Sequence, residues 1–475
     1  MSNNDANAIA ELHQIFDAQR AAFSHNPEPE MPRRIELLQR IPEMLASRHA
    51  QVVDALQSDY KNHPALTATL FDFLNILERN QHALDNIEQW MQREERPLAQ
   101  ALYGSSVAYI RHQPKGVIGN LSAWNFPFDI SFGPMIDMLA AGNRVIIKPS
   151  EQVPACGEVM REMIGDTFAA DEVAVVTGGL DLARHFSTLH WDHLVYTGNT
   201  RVGREVALKA AQNLVPVTLE LGGKNPVILT EDAVTPNNVE RILATKITKN
   251  GQICINVDHV YVPRSKRDLF LDLLRKQIAA WFDDFTLSDE VCNILNQRQW
   301  SRLQNLVEEA RESNPTSLVE LGSPASTENG CRMPFTVVCD PAPEIGVSTT
   351  EMFGPILPIH TFDTLDEVIN GIHRRERPLG IYMFSNNRED IEYVRSRTSS
   401  GGFTVNCVAL HGAQANLGFG GVGHSGTGRH HGIEGFREFS NPRAYLELAD
   451  DARIEPLLTP HREQTVEFVR HLMST

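Results

Sequence analysis

From Gly116 to about residue 281 the chain alternates short β-branched runs with amphipathic stretches, and this alternation restricts the fold more than any other feature. Runs at 117–121, 145–148, 173–176 and 194–196 read as strands, and the stretches 131–141, 155–168 and 203–212 between them read as helices. Strands joined through helices pair in parallel, with helices on both faces, and ligands then bind at the carboxyl ends of the strands. A second series follows Pro216, with strands at 227–229 and 259–262 and helices at 238–249 and 265–281. The expected fold class is α/β, a Rossmann-type lobe and a second α/β lobe with a cleft between them. The first hundred residues differ. Ile35, Leu38, Ile41, Leu45, Val52 and Leu56 recur at helical spacing, interrupted at Pro42, and another helix is expected over 66–92.

Composition excludes several partners. The chain has 43 Lys+Arg against 60 Asp+Glu, a net charge of −17, and no basic block, so phosphate backbones repel it and no nucleic acid is expected. The best apolar run, 130–141, is interrupted by Asp137 and is too short for a membrane span. The opening residues lack the cationic and apolar regions of a secretory leader, which makes the cytoplasm the expected compartment. Six cysteines, Cys156, Cys254, Cys292, Cys331, Cys339 and Cys407, include no C-x-x-C pair, so neither a disulfide framework nor a zinc site is expected. The adjacent His430 and His431 invite a metal reading, but no second ligand set is spaced to join them, and no metal is expected.

Three short segments carry chemistry. Gly251-Gln252-Ile253-Cys254 follows a helix and lies in a loop, where a thiolate is a capable nucleophile. Alone, a small buried filler is the commoner role for such a cysteine. Thirty-four residues upstream, an alternating strand delivers Glu220 to the double glycine of Glu220-Leu221-Gly222-Gly223-Lys224, where a carboxylate can approach a water. The competing reading is a solvated glutamate at a strand end. Asn125, in Ala123-Trp124-Asn125-Phe126-Pro127, occupies a strand-to-helix turn and offers an amide donor to developing negative charge, or simply forms the turn. Among glycine patterns, Gly198-Asn199-Thr200-Arg201-Val202-Gly203 follows a strand and opens a helix, the layout that cradles a pyrophosphate. Gly421 to Gly426 matches G-x-G-x-x-G literally but follows no strand, and reads as a loop.

Taken together, these segments resemble the aldehyde dehydrogenase superfamily over residues 35–473. W-N-F-P at Trp124, K-P-S-E at Lys148, E-L-G-G-K at Glu220, G-Q-x-C at Cys254, E-M-F-G-P at Glu351 and F-G-G-V-G-x-S-G-x-G-R at Phe419 occur in family order. Asn199 and the H-H-G-x-x-G-F-x-x-F-S from His430 resemble the class 3 branch, and within it the coniferyl aldehyde dehydrogenases. The resemblance implies Cys254 as nucleophile, Asn125 with the Cys254 backbone N–H as oxyanion hole, and Glu220 as base. It places an NAD cofactor, with NADP also possible, against Trp124, Lys148, Ser150, Glu151, Gly198, Asn199, Thr200, Gly203, Leu221, Gly222, Glu351 and Phe353. Lys148 and Glu151 meet the adenosine ribose in this scheme, and Glu151 disfavours a 2′-phosphate. It further implies a cofactor-binding domain of 1–98, 114–216 and 407–438, a catalytic domain of 217–406, oligomerisation strands at 99–113 and 439–455, and a tail of 456–475.

The implied activity is oxidation of an aromatic, coniferyl-type aldehyde to its acid by a homodimer. Medium-chain alkanals, a CoA-acylating reaction and an inactive homologue are the alternatives. Strand-like stretches at 107–113 and 443–448 are expected as edges that pair across the dimer. Val466, Val469 and Leu472 form an apolar face on a tail helix that either borders the substrate entrance or seals the fold. Lys249 departs from the Asn usual in the family, and a cation beside Cys254 is expected to lower its pKa.

Overall fold

The computed structural model describes residues 3–328, 330–460 and 463–474. Its first sheet has six strands, ordered Gly426–Thr427, Val217–Glu220, His193–Thr197, Val117–Leu121, Arg144–Lys148 and Val173–Val175, all parallel except the two-residue edge. Val117–Leu121 is buried along its whole length, as expected of a strand covered on both faces. The chain proceeds from this strand to one side, through 144–148 and 173–175, and then returns to place 193–197 on its other side. Order reverses there, and the crevice opens at that reversal. The second sheet has seven strands, ordered Leu318–Leu321, Phe335–Cys339, Ile356–Phe362, His259–Pro263, Pro226–Leu229, Gly380–Phe384 and Gly402–Val405. Each sheet carries its own apolar core: Ile118, Val145, Ile147 and Phe132 belong to one, and Val227, Val260, Leu274 and Phe335 to the other.

Four expectations need correction. The stretch at 107–113 is not an open edge. Val107–Pro114 is the middle strand of a third, antiparallel sheet, between Glu94–Arg96 and Ser440–Glu447, with Tyr109 stacked on Tyr445 at 5.0 Å. Glu94–Arg96 falls in the segment assigned to the cofactor lobe, and only the outer strands keep an unpaired side. The helix expected to 249 ends at Ile247, because Lys249, Asn250 and Gly251 all take positive φ and turn the chain sharply. The helix expected over 66–92 is interrupted by a π-turn at Leu70–Leu74, between Ala65–Thr69 and Asn75–Trp90. The break expected at Pro42 falls at Arg40, since proline fits the first turn of the helix Ile41–Tyr60.

The tail helix Glu463–Met473 forms, with Val466 and Val469 each 45% exposed. The Leu472 side chain and residues 461–462 lie outside the described residues. No helix among the described residues is long and apolar enough to cross a membrane.

Candidate active site

A cleft of about 570 Å³ opens at the carboxyl ends of the first sheet and reaches the second lobe. Its wall includes Asn125, Glu220 and Cys254, together with Trp124, Lys148, Ser150, Glu151, Gly198, Asn199, Gly222, Glu351 and Phe353. Six separate stretches of chain thus converge on one space. Thr200, Gly203 and Leu221 do not line it. Thr200 donates its hydroxyl to the His424 carbonyl and faces a neighbouring groove, while Gly203 packs against Leu221 beneath the cleft floor.

Cys254 follows the left-handed turn that ends the preceding helix. Gly251, at φ 82°, lies so near the Gly354 carbonyl that any Cβ would collide with it, which brings the E-M-F-G-P segment hard against the nucleophile loop. Asn225, five residues after Glu220, donates to the carbonyls of Cys254 (2.7 Å) and Asn256 (3.0 Å). Gln252 is fully buried, with Nε2 donating to Lys249 and Asn293 carbonyls and Oε1 accepting from the Leu295 N–H.

Burial pushes the Cys254 thiol up to about 12, with Glu220 and Glu351 adding to it. The cation expected to lower it is turned elsewhere: the Lys249 ammonium donates to the Asn125 carbonyl and faces Asp72 at 3.9 Å. In the protein without ligand, alkylation of Cys254 by iodoacetamide should therefore be slow at pH 7 and still rising above pH 9. A rate already level by pH 7 would contradict this electrostatic picture. Glu220→Gln removes a carboxylate that holds the thiol up, so its curve should move to lower pH.

Glu220 ends its strand, buried, paired with Thr197 on one side and Gly426 on the other. Its backbone carbonyl accepts from Gly198 N–H at 2.9 Å, which joins the glycine turn to this strand end. Among the described residues neither carboxylate oxygen has a hydrogen-bond partner, and His430 Nε2, on a ring stacked on His431, lies 3.8 Å away. Burial raises the Glu220 carboxyl well above the usual carboxylate range, with the Arg429 charge opposing it. Among the described residues no group of three His, Cys, Asp or Glu side chains is placed to hold a metal. Asn125 is buried, and its side-chain amide makes no hydrogen bond among the described residues.

On the other flank, Lys148 is buried with its ammonium 3.2 Å from Glu151. Asn199 caps the helix Thr200–Gln212 by accepting from Val202 N–H at 3.0 Å, leaving the first N–H groups of that helix at the cleft. Phe353 meets Trp124 edge-on at 5.3 Å. Glu351 lies against Gly222, where a Cβ would fill its place, and burial next to Asp258 pushes its carboxyl up to about 7.

The aldehyde dehydrogenase family model matches residues 3–445. The chain belongs to the aldehyde dehydrogenase family. A "Probable coniferyl aldehyde dehydrogenase" of Caulobacter vibrioides is 35% identical over 455 residues, covering 94% of this chain and 93% of that one. A "Coniferyl aldehyde dehydrogenase" of a Pseudomonas species is 33% identical over 440 residues, covering 92% and 90%. The substrate-bound state of Staphylococcus aureus AldH superposes with a TM-score of 0.91 at 30% identity, covering 97% of this chain and 99% of that one.

Several residues that build the site in this aldehyde dehydrogenase escaped the reading of its sequence. Arg302 donates to the carbonyls of Glu351 (3.2 Å) and Met352 (2.7 Å) and fixes the E-M-F segment. Asp258 accepts from Lys224 at 2.6 Å and from Met352 N–H at 2.8 Å, tying that segment to the loop after Glu220. Gln299, which accepts from Arg302 Nε, and Arg298 also line the cleft. The i, i+4 pair Arg298 and Arg302 on one helix face was the available signal.

Proposed function

We propose that this enzyme oxidises an aromatic, coniferyl-type aldehyde to its carboxylate with NAD, taking NADP less well. The observation that carries the reading is the convergence of Cys254, Asn125 and Glu220 on one cleft that Lys148, Glu151 and Glu351 also line. An aldehyde has no leaving group, so the Cys254 thiol passes its proton to water and its sulfur adds to the carbonyl carbon, forming a thiohemiacetal as its oxyanion. The unpaired amide of Asn125 and the Cys254 N–H receive the oxyanion. A bound NAD supplies the hydride acceptor. Loss of hydride from carbon leaves a thioester on Cys254. Glu220 then takes a proton from water, the water oxygen attacks the thioester carbon, and the thiolate leaves with the acid formed. Burial raises the basicity of the carboxylate that takes this proton.

The residues fit a dinucleotide. The capped helix start at Asn199 offers N–H groups to a pyrophosphate, and Lys148 and Glu151 offer a donor and an acceptor to ribose hydroxyls. Glu351, pressed into the space a Cβ would fill at Gly222, offers a second ribose acceptor. The Glu151 carboxylate repels a 2′-phosphate. The similarity to coniferyl aldehyde dehydrogenases supports the substrate class. All six cysteines are free, which suits a reducing cytoplasm, and the outer strand Ser440–Glu447 offers its unpaired edge to a second copy in a homodimer.

The test is a panel of hydroxycinnamaldehydes, benzaldehydes and medium-chain alkanals with NAD and NADP, read as absorbance of the reduced nucleotide. Coniferaldehyde with NAD should give the highest kcat/KM. Alkanals ahead of it would overturn the substrate class, and dependence on added CoA with acyl-CoA as product would overturn hydrolysis.

A further inference from the structure

Lys249 is among the largest fully buried side chains of the protein, and its surroundings are unusual for a lysine. Its ammonium lies over the rings of Tyr60 (4.8 Å) and Phe126 (4.6 Å), with Asp72 Oδ2 at 3.9 Å. Asp72 in turn accepts from Asp129 N–H at 3.4 Å, and Asp129 pairs with Arg79 at 3.2 Å. Two carboxylates and two cations thus form a balanced buried group, to which His63, held neutral by burial, adds no charge. Removing such charges from water costs several kcal/mol per ion, and apolar packing at such positions is often as stable or more so, so stability is a weak reason for the arrangement.

What the ammonium does grip is the backbone carbonyl of Asn125. Among the described residues no backbone N–H donates to the carbonyls of Trp124 and Asn125. Tyr60 Oη bonds the first at 2.9 Å and the second only distantly, at 3.4 Å, which leaves Lys249 as the closer partner of Asn125. The grip spans two segments, because Lys249 belongs to the turn that leads into Cys254 and Asn125 to the turn after the strand Val117–Leu121. Lys249 and Asn250 hold successive left-handed conformations (φ 47° and 54°), a costly backbone that directs the Lys249 side chain inward.

We propose that Lys249 is the positioning residue of the oxyanion hole: its ammonium, held by Asp72 and two ring faces, fixes the Asn125 peptide and so aims the Asn125 side-chain amide relative to Cys254. The proposal rests on the roles given above to Asn125 and Cys254. Lys249 touches no reacting atom and acts only through Asn125.

The experiment is a double-mutant cycle with Lys249→Met, Asn125→Ala and the double variant. It is read as the stopped-flow rate constant of the first-turnover burst of reduced nucleotide, with KM for aldehyde and cofactor measured alongside. Asn125→Ala should slow the burst about a hundredfold. Lys249→Met should slow it on the order of tenfold, through misplacement of the donor, with the cofactor KM unchanged. The double variant should be no slower than Asn125→Ala alone. A full further loss from Lys249→Met in the Asn125→Ala background, or a normal burst in Lys249→Met, overturns the proposal. Lys249→Asn, the residue usual in the family, takes the place of Lys249→Met in the cycle if the latter fails a thermal-melting check. A normal burst in Asn125→Ala overturns instead the reading of Asn125 on which the proposal depends.

Discussion

Cys254→Ala abolishes aldehyde oxidation, with kcat/KM for every active aldehyde falling roughly ten-thousandfold or more while the variant still binds the dinucleotide. Without sulfur at this position nothing adds to the carbonyl, and hydride has no tetrahedral carbon to leave. The fold should tolerate the change, because the loop is held by its backbone: Asn225 bonds the Cys254 carbonyl and Gln252 anchors the turn before it. Steady-state assays check the loss, and nucleotide binding followed by fluorescence checks the intact cleft. Near-normal turnover in Cys254→Ala would remove the thioester route altogether. Five other cysteines provide an internal control, since alanine at Cys156 or Cys292, both buried in the apolar core, affects stability rather than chemistry.

Glu220→Gln separates the two halves of the reaction. Its first-turnover burst of reduced nucleotide should persist, and steady-state turnover should fall about a thousandfold, because only the attack of water on the thioester needs the base. The pH dependence has a definite sign. Burial raises the Glu220 carboxyl above its ordinary value, so the base is lost as pH falls through that raised pKa, and deacylation-limited kcat of the wild type declines on the acid side. That acid limb should be absent from Glu220→Gln. Loss of the burst would show that Glu220 acts before hydride transfer, and an unchanged acid limb would assign the limb to another group. Arg429, whose charge opposes the upward shift, is held by its own bonds to the Gly401 and Gly420 carbonyls.

The central strands of the first lobe could be read because each carries a short β-branched, largely apolar run, the pattern of a strand buried on both faces. G-Q-I-C, E-L-G-G-K and W-N-F-P could be read because each packs its chemistry into consecutive residues. What could not be read was what holds them. Asn225 reaches Cys254 from 29 residues away and accepts from the Gly380 N–H from 155 away, and spacing along the chain encodes neither. Lys249 misled for the same reason. Proximity in sequence to Cys254 suggested a cation at the thiol, whereas three successive positive-φ residues direct it to Asn125. Glu94–Arg96 carried no strand signal, being three charged residues whose pairing comes wholly from Val107–Pro114.

The π-turn at Leu70–Leu74 gives this helix one residue more than an α-helix of the same rise would need. Because each residue advances a helix by about 100°, the surplus residue offsets the angular register of the two halves. Leu66, Leu70 and Leu74 stay on the outside (69, 41 and 50% exposed) while Asp72 and Phe73 are buried. The turn therefore has the character of a preserved single-residue insertion. Deleting one residue here should shift the angular register between Asp72 and the helix Asn75–Trp90 and so move the Asp72 carboxylate relative to Lys249. Chain length at this point bears on the active site even though no residue of the turn lines the cleft.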